Sequence, residues 1–60
     1  MIKIDVIKNY GGHDEEGVEN SKQAAVDAGY TFLHEENLVV EDTHGEELHA
    51  TLLFFEEPEP

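Results

Sequence analysis

Fifteen aspartates and glutamates stand against three lysines and no arginine in this 60-residue chain, a formal net charge of −12. Like charge at that density works against compaction, so a core has to form from few residues against steady self-repulsion. Most of the acids arrive as neighbours: Asp14-Glu15-Glu16, Glu35-Glu36, Glu41-Asp42, Glu46-Glu47 and Glu56-Glu57. Folding alone gives no reason to collect them.

Sixty residues make one domain, close to the lower limit at which a single core sustains folding without staples. There is no cysteine, which removes disulfides and thiolate metal sites and suits a reducing cytoplasm. Met1-Ile2-Lys3-Ile4-Asp5 does not read as a secretory signal, because charge interrupts its apolar positions from the start. The longest apolar run, Leu52-Leu53-Phe54-Phe55, is far too short to span a bilayer. The expectation is a soluble cytoplasmic protein whose small core gains burial from a homodimer or from docking on a target.

Ile2, Ile4 and Val6 alternate with Lys3 and Asp5, the period-2 pattern of a strand over residues 1 to 8. Asn9-Tyr10-Gly11-Gly12 ends it in a glycine-rich turn. A helix is expected between Asp14 and Ala28, firmest from residue 20 onward, with Asp14 or Asn20 as N-cap and Gly17 weakening the first turn. Val18, Ala25 and Ala28, with Ser21 and Ala24 beside them, form a narrow small-residue stripe that can lie close on a sheet. Gly29 is placed to follow the C-cap, with Tyr30 folding back on the last turn. Strand character returns from Thr31 to Phe55, with a bulge or bend expected at Glu35-Glu36-Asn37 and a turn at Asp42-Thr43-His44-Gly45. Leu48, Ala50, Leu52 and Phe54 alternate with His49, Thr51, Leu53 and Phe55, so the last strand is apolar on both faces and belongs mid-sheet or at a dimer seam. The fold expected is a single α+β domain over residues 1–55, with one helix packed on a three-stranded, mainly antiparallel sheet in β-α-β-β order. Strand three lies between one and two, and residues 56–60 form an acidic disordered tail.

A short loop at Thr43 to Gly45 sets Glu41 and Asp42 across from Glu46 and Glu47, where like charges lower stability. No lysine lies between Asn37 and Pro60 to relieve them. Such repulsion points to counter-charge arriving on a partner. Acids Asp14, Glu15, Glu16 and Glu19 have a local rationale too, at the positive end of the helix macrodipole.

Other chemistries find thin material. His34, His44 and His49 with Glu46 or Asp42 are the candidate metal ligands, but His34-Glu35-Glu36-Asn37-Leu38 has leucine where a helical zinc motif needs its second histidine, so no metal or other cofactor is expected. The Gly11-Gly12 turn lacks the lysine of a phosphate loop, and the acids after it repel phosphate. Ser21 is the only serine, and a fold this small has little room to desolvate one of a carboxylate pair, so the chain is expected not to be an enzyme.

A globule of this length has a diameter of about 27 Å. Duplex DNA of that length carries roughly 16 negative charges, close to the charge of the chain. Such a protein repels nucleic acid and anionic membranes and is steered to basic protein surfaces. In size, paired acids and β-α-β-β pattern it resembles the small acidic inhibitors that phages encode, including anti-CRISPR and anti-restriction proteins. The resemblance implies a nucleic-acid mimic that blocks the groove of a basic nucleic-acid-binding protein: a CRISPR effector, a restriction enzyme or another DNA- or RNA-handling enzyme. Glu35, Glu36, Glu41, Asp42, Glu46 and Glu47, joined by Asp14, Glu15, Glu16 and Glu19, would take the places of backbone phosphates, with Tyr10 or Phe55 adding apolar contact. The alternatives are an antitoxin masking a basic toxin, an acidic housekeeping domain of a halophile, and a small metal-binding dimer.

Overall fold

A computed structural model describes residues 1 to 58; Glu59 and Pro60, the end of the expected tail, lie outside the described residues. The chain runs β1 (Ile2–Tyr10), α1 (Glu15–Asp27), β2 (Thr31–Glu41) and β3 (Glu47–Glu56). The sheet order is β1-β3-β2, and both pairings are antiparallel. The two-faced apolar strand β3 therefore takes the middle, where neighbours satisfy its backbone on both sides. The strand continues one residue into the expected tail, and the N–H of Glu57 then donates to the carbonyl of Met1 at 3.1 Å.

The helix starts five residues earlier than its firm portion. Asp14 is the N-cap, its Oδ1 accepting the N–H of Gly17 at 3.0 Å, while Asn20 lies inside the helix. Gly17 has a reason to be glycine, since a Cβ there would run into the Asp14 carboxylate. At the other end Gly29 (φ +95°) lets the N–H of Tyr30 reach the carbonyl of Ala25 at 2.9 Å and its own N–H reach Val26 at 3.0 Å. This is a Schellman closure, and it turns the chain straight into β2.

Val18 and Ala25 are the buried helix residues, packed on Leu53 and Phe55, with Ile7 and Tyr30 alongside. Ala24 and Ala28, expected in the same stripe, are exposed. The rings of Tyr30 and Phe32 meet Phe55 edge-on at 6.4 and 5.8 Å. Phe55 is 0 % exposed, so it is core and not the partner-facing aromatic of the sequence reading. Alternation along β3 made either Phe54 or Phe55 free, and the helix chose the face of Phe55.

A bulge at Leu33 sets the register of β2. Phe32 pairs with Phe55 and His34 with Phe54, leaving Leu33 as the extra residue. The irregularity is thus earlier than the expected one at Glu35-Glu36-Asn37, which lies in regular pairing with Leu53, Leu52 and Thr51. A bulge is a common guard on an edge strand. The opposite edge strand, β1, pairs without register shift over nine residues and contains no proline.

The helix covers one face of the sheet only. On the other lie Ile2, Ile4 and Val6 of β1, Leu38 and Val40 of β2, and Leu48, Ala50, Leu52 and Phe54 of β3, brought level by the pairings Ile4 with Phe54, Val6 with Leu52 and Val40 with Leu48. The result is a flat plate, with extents of 46 × 21 × 13 Å and a radius of gyration of 13.0 Å. That replaces the compact 27 Å globule of the sequence estimate, because sheet length and not chain volume sets the long axis. Among the described residues no helix is long and apolar enough to cross a membrane.

Candidate functional site

The β2-β3 turn is built by Asp42. Its backbone N–H donates to the carbonyl of Glu46 at 3.0 Å, and its carbonyl accepts from Gly45 at 3.1 Å. Its Oδ1 accepts the N–H groups of His44 and Glu46 at 2.8 and 3.0 Å. Gly45 supplies the positive φ, +78°, that closes the loop. Glu41 and Glu47 consequently face each other as direct partners in the ladder. Side chains so placed have Cβ atoms about 4.5–5.5 Å apart.

The first strand brings a second acidic group to the same end of the plate. After Tyr10 the N–H of Gly11 donates to the carbonyl of Glu47 at 3.1 Å, and Asn9 Nδ2 bonds the Gly12 carbonyl at 2.9 Å. These contacts fix the exit of β1 beside β3. The helix therefore begins at the hairpin end, with Asp14, Glu15, Glu16 and Glu19 in its cap and first turns. Tyr10 remains 55 % exposed and borders a shallow recess with Gly11, Glu46 and Glu47.

The ten acids singled out in the sequence do not behave alike. Asp14 and Asp42 hold the helix cap and the turn, so their oxygens are engaged by backbone N–H groups. Glu35 lies under the helix in a 2.7 Å ion pair with Lys22, whose ammonium also reaches Glu19 at 3.6 Å and sits 4.7 Å from the centre of the Phe32 ring. The Lys22 hydrogen bond holds the Glu35 carboxyl below its ordinary range, and the same bond raises the Lys22 ammonium. Glu36 points to the other face, bonded to His34 at 2.6 Å, and is not part of the acidic end. Glu47 has His49 at 3.4 Å. Among the described residues Glu15, Glu16, Glu41 and Glu46 have no cationic group within 4.0 Å; Lys3 is held by Asp5 at 3.8 Å and the amino terminus by Glu56 at 3.3 Å. The site is thus an exposed end where Glu15, Glu16, Glu19, Glu41, Glu46 and Glu47 carry accessible charge beside Tyr10.

Charge and periodicity did not flag one polar cluster. Buried Thr51, inside the apolar run of β3, donates to Asn37 Oδ1 at 3.0 Å. Since a hydroxyl has one proton, His13 Nδ1, 3.2 Å from the same oxygen, must be the donor to it. Its sequence signal is a threonine where the alternation calls for an apolar residue. The cluster ties the β1-α1 loop to the sheet and leaves no buried side-chain polar atom without a partner among the described residues.

Among the described residues no three histidine, aspartate or glutamate side chains are grouped to hold a metal ion. His34 is paired with Glu36 on the open face, His44 is in the turn and His49 is beside Glu47. Compared with protein-family models, with curated proteins and with solved structures, the chain matches none.

Proposed function

We propose that the acidic end is a decoy for nucleic-acid backbone, occupying a basic groove of a DNA- or RNA-handling protein in the cytoplasm and excluding its nucleic acid without breaking any bond. The observation that carries this reading is the unrelieved repulsion at the hairpin: Glu41 faces Glu47, Glu46 follows the turn, and no lysine or arginine is within ion-pair distance among the described residues. A solvated turn gains nothing from that arrangement. A surface that receives Lys and Arg of a target does, through charge-assisted hydrogen bonds. Mimicry is confined to that end and does not follow the whole length of the plate. A duplex as long as its 46 Å axis carries roughly 27 charges, against the net −12 of the chain.

The test is a low-salt pull-down from host-cell lysate, using the wild type and the Glu41→Lys/Glu46→Lys/Glu47→Lys variant. The wild type captures a DNA- or RNA-handling protein that added nucleic acid displaces, and the variant, folded by circular dichroism, captures none. Equal capture by both chains, or capture indifferent to salt, overturns the reading. Asp42 is left unchanged because it holds the turn.

A further inference from the structure

The core on the helix side is small: four apolar residues, Val18, Ala25, Leu53 and Phe55, are buried. The opposite face has as much apolar material and nothing on it. Ile4, Val6 and Leu38 are 52, 51 and 52 % exposed, and they flank Leu52 and Phe54 in the middle of the sheet. The chain exposes 4317 Å², whereas a monomer of 6.8 kDa is expected to expose about 3,950 Å². Excess surface and an uncovered sheet belong together.

We propose that this face is covered by a second copy of the same chain, giving a helix-sheet-sheet-helix sandwich with an isologous seam. The inference goes beyond the decoy reading and stands independently of it. Three observations select a second copy as the occupant.

The first is charge. In a chain of net −12 the open face is close to neutral: its ladder charges are Lys8 on β1, Glu36 on β2 beside His34, and Glu56 at the end of β3, which is paired with the amino terminus at 3.3 Å. Lys8 and Glu36 lie on opposite edge strands and Glu56 at the strand end, so in a stacked pair their heads reach water at the rim while the middle stays apolar. A basic partner would select acids on the face it covers; this face has few.

The second is area. Nine residues of β1 at about 3.3 Å each and three strands about 4.8 Å apart outline about 400 Å² of flat surface per copy. Two outlines, with the relief of their side chains, reach the roughly 1,000 Å² needed for a specific interface.

The third is direction. A two-fold axis along the strands would set the two hairpin ends, Glu41 to Glu47, side by side about 10 Å apart. An axis across the strands separates them and lays the Tyr10-Leu48 end of one copy over the Ile4-Phe54 end of the other, near the amino terminus and His34. Self-repulsion favours the second arrangement, which leaves both acidic ends free at opposite tips of the sandwich.

Sedimentation equilibrium of the wild type at about 50 µM should give twice 6.8 kDa, with a dissociation constant that falls as salt is raised, since screening relieves repulsion between the copies. Leu52→Lys, which drives a charge from each copy into the seam, should raise that constant by about 100-fold or more. Val26→Lys, on the exposed side of the helix, should leave it unchanged. If Leu52→Lys fails to fold, isotope-filtered NMR on a mixture of labelled and unlabelled wild type decides, with contacts expected from Phe54 of one copy to Leu48 and Tyr10 of the other. A folded monomer at that concentration, or a dimer whose contacts run along the β1 edges, overturns the proposal. Target capture weakens with salt and self-association strengthens, so either idea can fail while the other survives.

Discussion

Single side chains at the acidic end divide into those that hold the backbone and those that are free of it. Asp42 accepts two N–H groups, so Asp42→Ala should cost about 1–2 kcal/mol in urea unfolding. Glu47→Lys, which replaces a like-charged pair across the ladder by an opposite one, should stabilise by about 0.2–1 kcal/mol in the same assay. Two positions of one acidic cluster thus respond with opposite sign. Glu35 adds a pH signature. Its carboxyl is held below the ordinary value of 4.5, chiefly by the Lys22 hydrogen bond, so its contribution is complete above that value and disappears as pH falls through the lower folded-state value. Glu35→Gln should flatten stability in that acid window and cost less than about 1 kcal/mol near neutrality, because the pair is partly solvated. The opposed glutamates and exposed Tyr10 were legible in the sequence, since turn spacing alone places them. The roles of Asp14 and Asp42 as backbone acceptors, and of Glu35 as the Lys22 partner, were not legible there, because a carboxylate in a cluster looks the same whether it binds N–H groups, a lysine or water.

Whole elements were more readable than their ends. The β-α-β-β order, the central position of β3 and the Gly29 closure all follow from period and punctuation in the sequence, and the structure has each of them. Gly29→Ala should cost about 1 kcal/mol in thermal unfolding through its φ of +95°, because a Cβ there would meet nothing closer than ordinary contact with Pro58. The position of the bulge was misplaced for a physical reason. Glu35-Glu36 looked like the interruption because two acids sit badly in a half-buried strand, yet Lys22 absorbs one and the open face takes the other. The extra residue is Leu33, hydrophobic and outwardly unremarkable in the run Thr31 to Leu33. Its deletion leaves Phe32 opposite Phe55 and brings His34 directly after it opposite Phe54, so the later pairings and faces are kept and only the bulge is lost. Leu33→Ala should therefore change stability by less than about 0.5 kcal/mol, and deletion of Leu33 should keep a single cooperative unfolding transition while straightening the edge strand.

At the scale of the molecule, charge and shape act on each other. The estimate from chain length assumed a ball; the plate is longer and thinner, so the same −12 is spread over 46 Å, with a surplus at the hairpin end. Composition alone could not show this, because shape depends on strand length and on the helix covering just one face. Strand β1 has neither bulge nor proline along its nine residues, and its outer backbone groups are open to another chain. Colloidal repulsion is then its main guard. Near the isoelectric point of about 4.3 the net charge vanishes and that guard lapses, so there the chain should assemble edge to edge into thioflavin-binding fibrils that Ile4→Lys or Val6→Lys suppresses. The acidity proposed to equip one tip for a basic target would thus also help Lys3, Asp5 and Lys8 keep an edge strand from polymerising, tying the solubility of the protein to the pH of its surroundings.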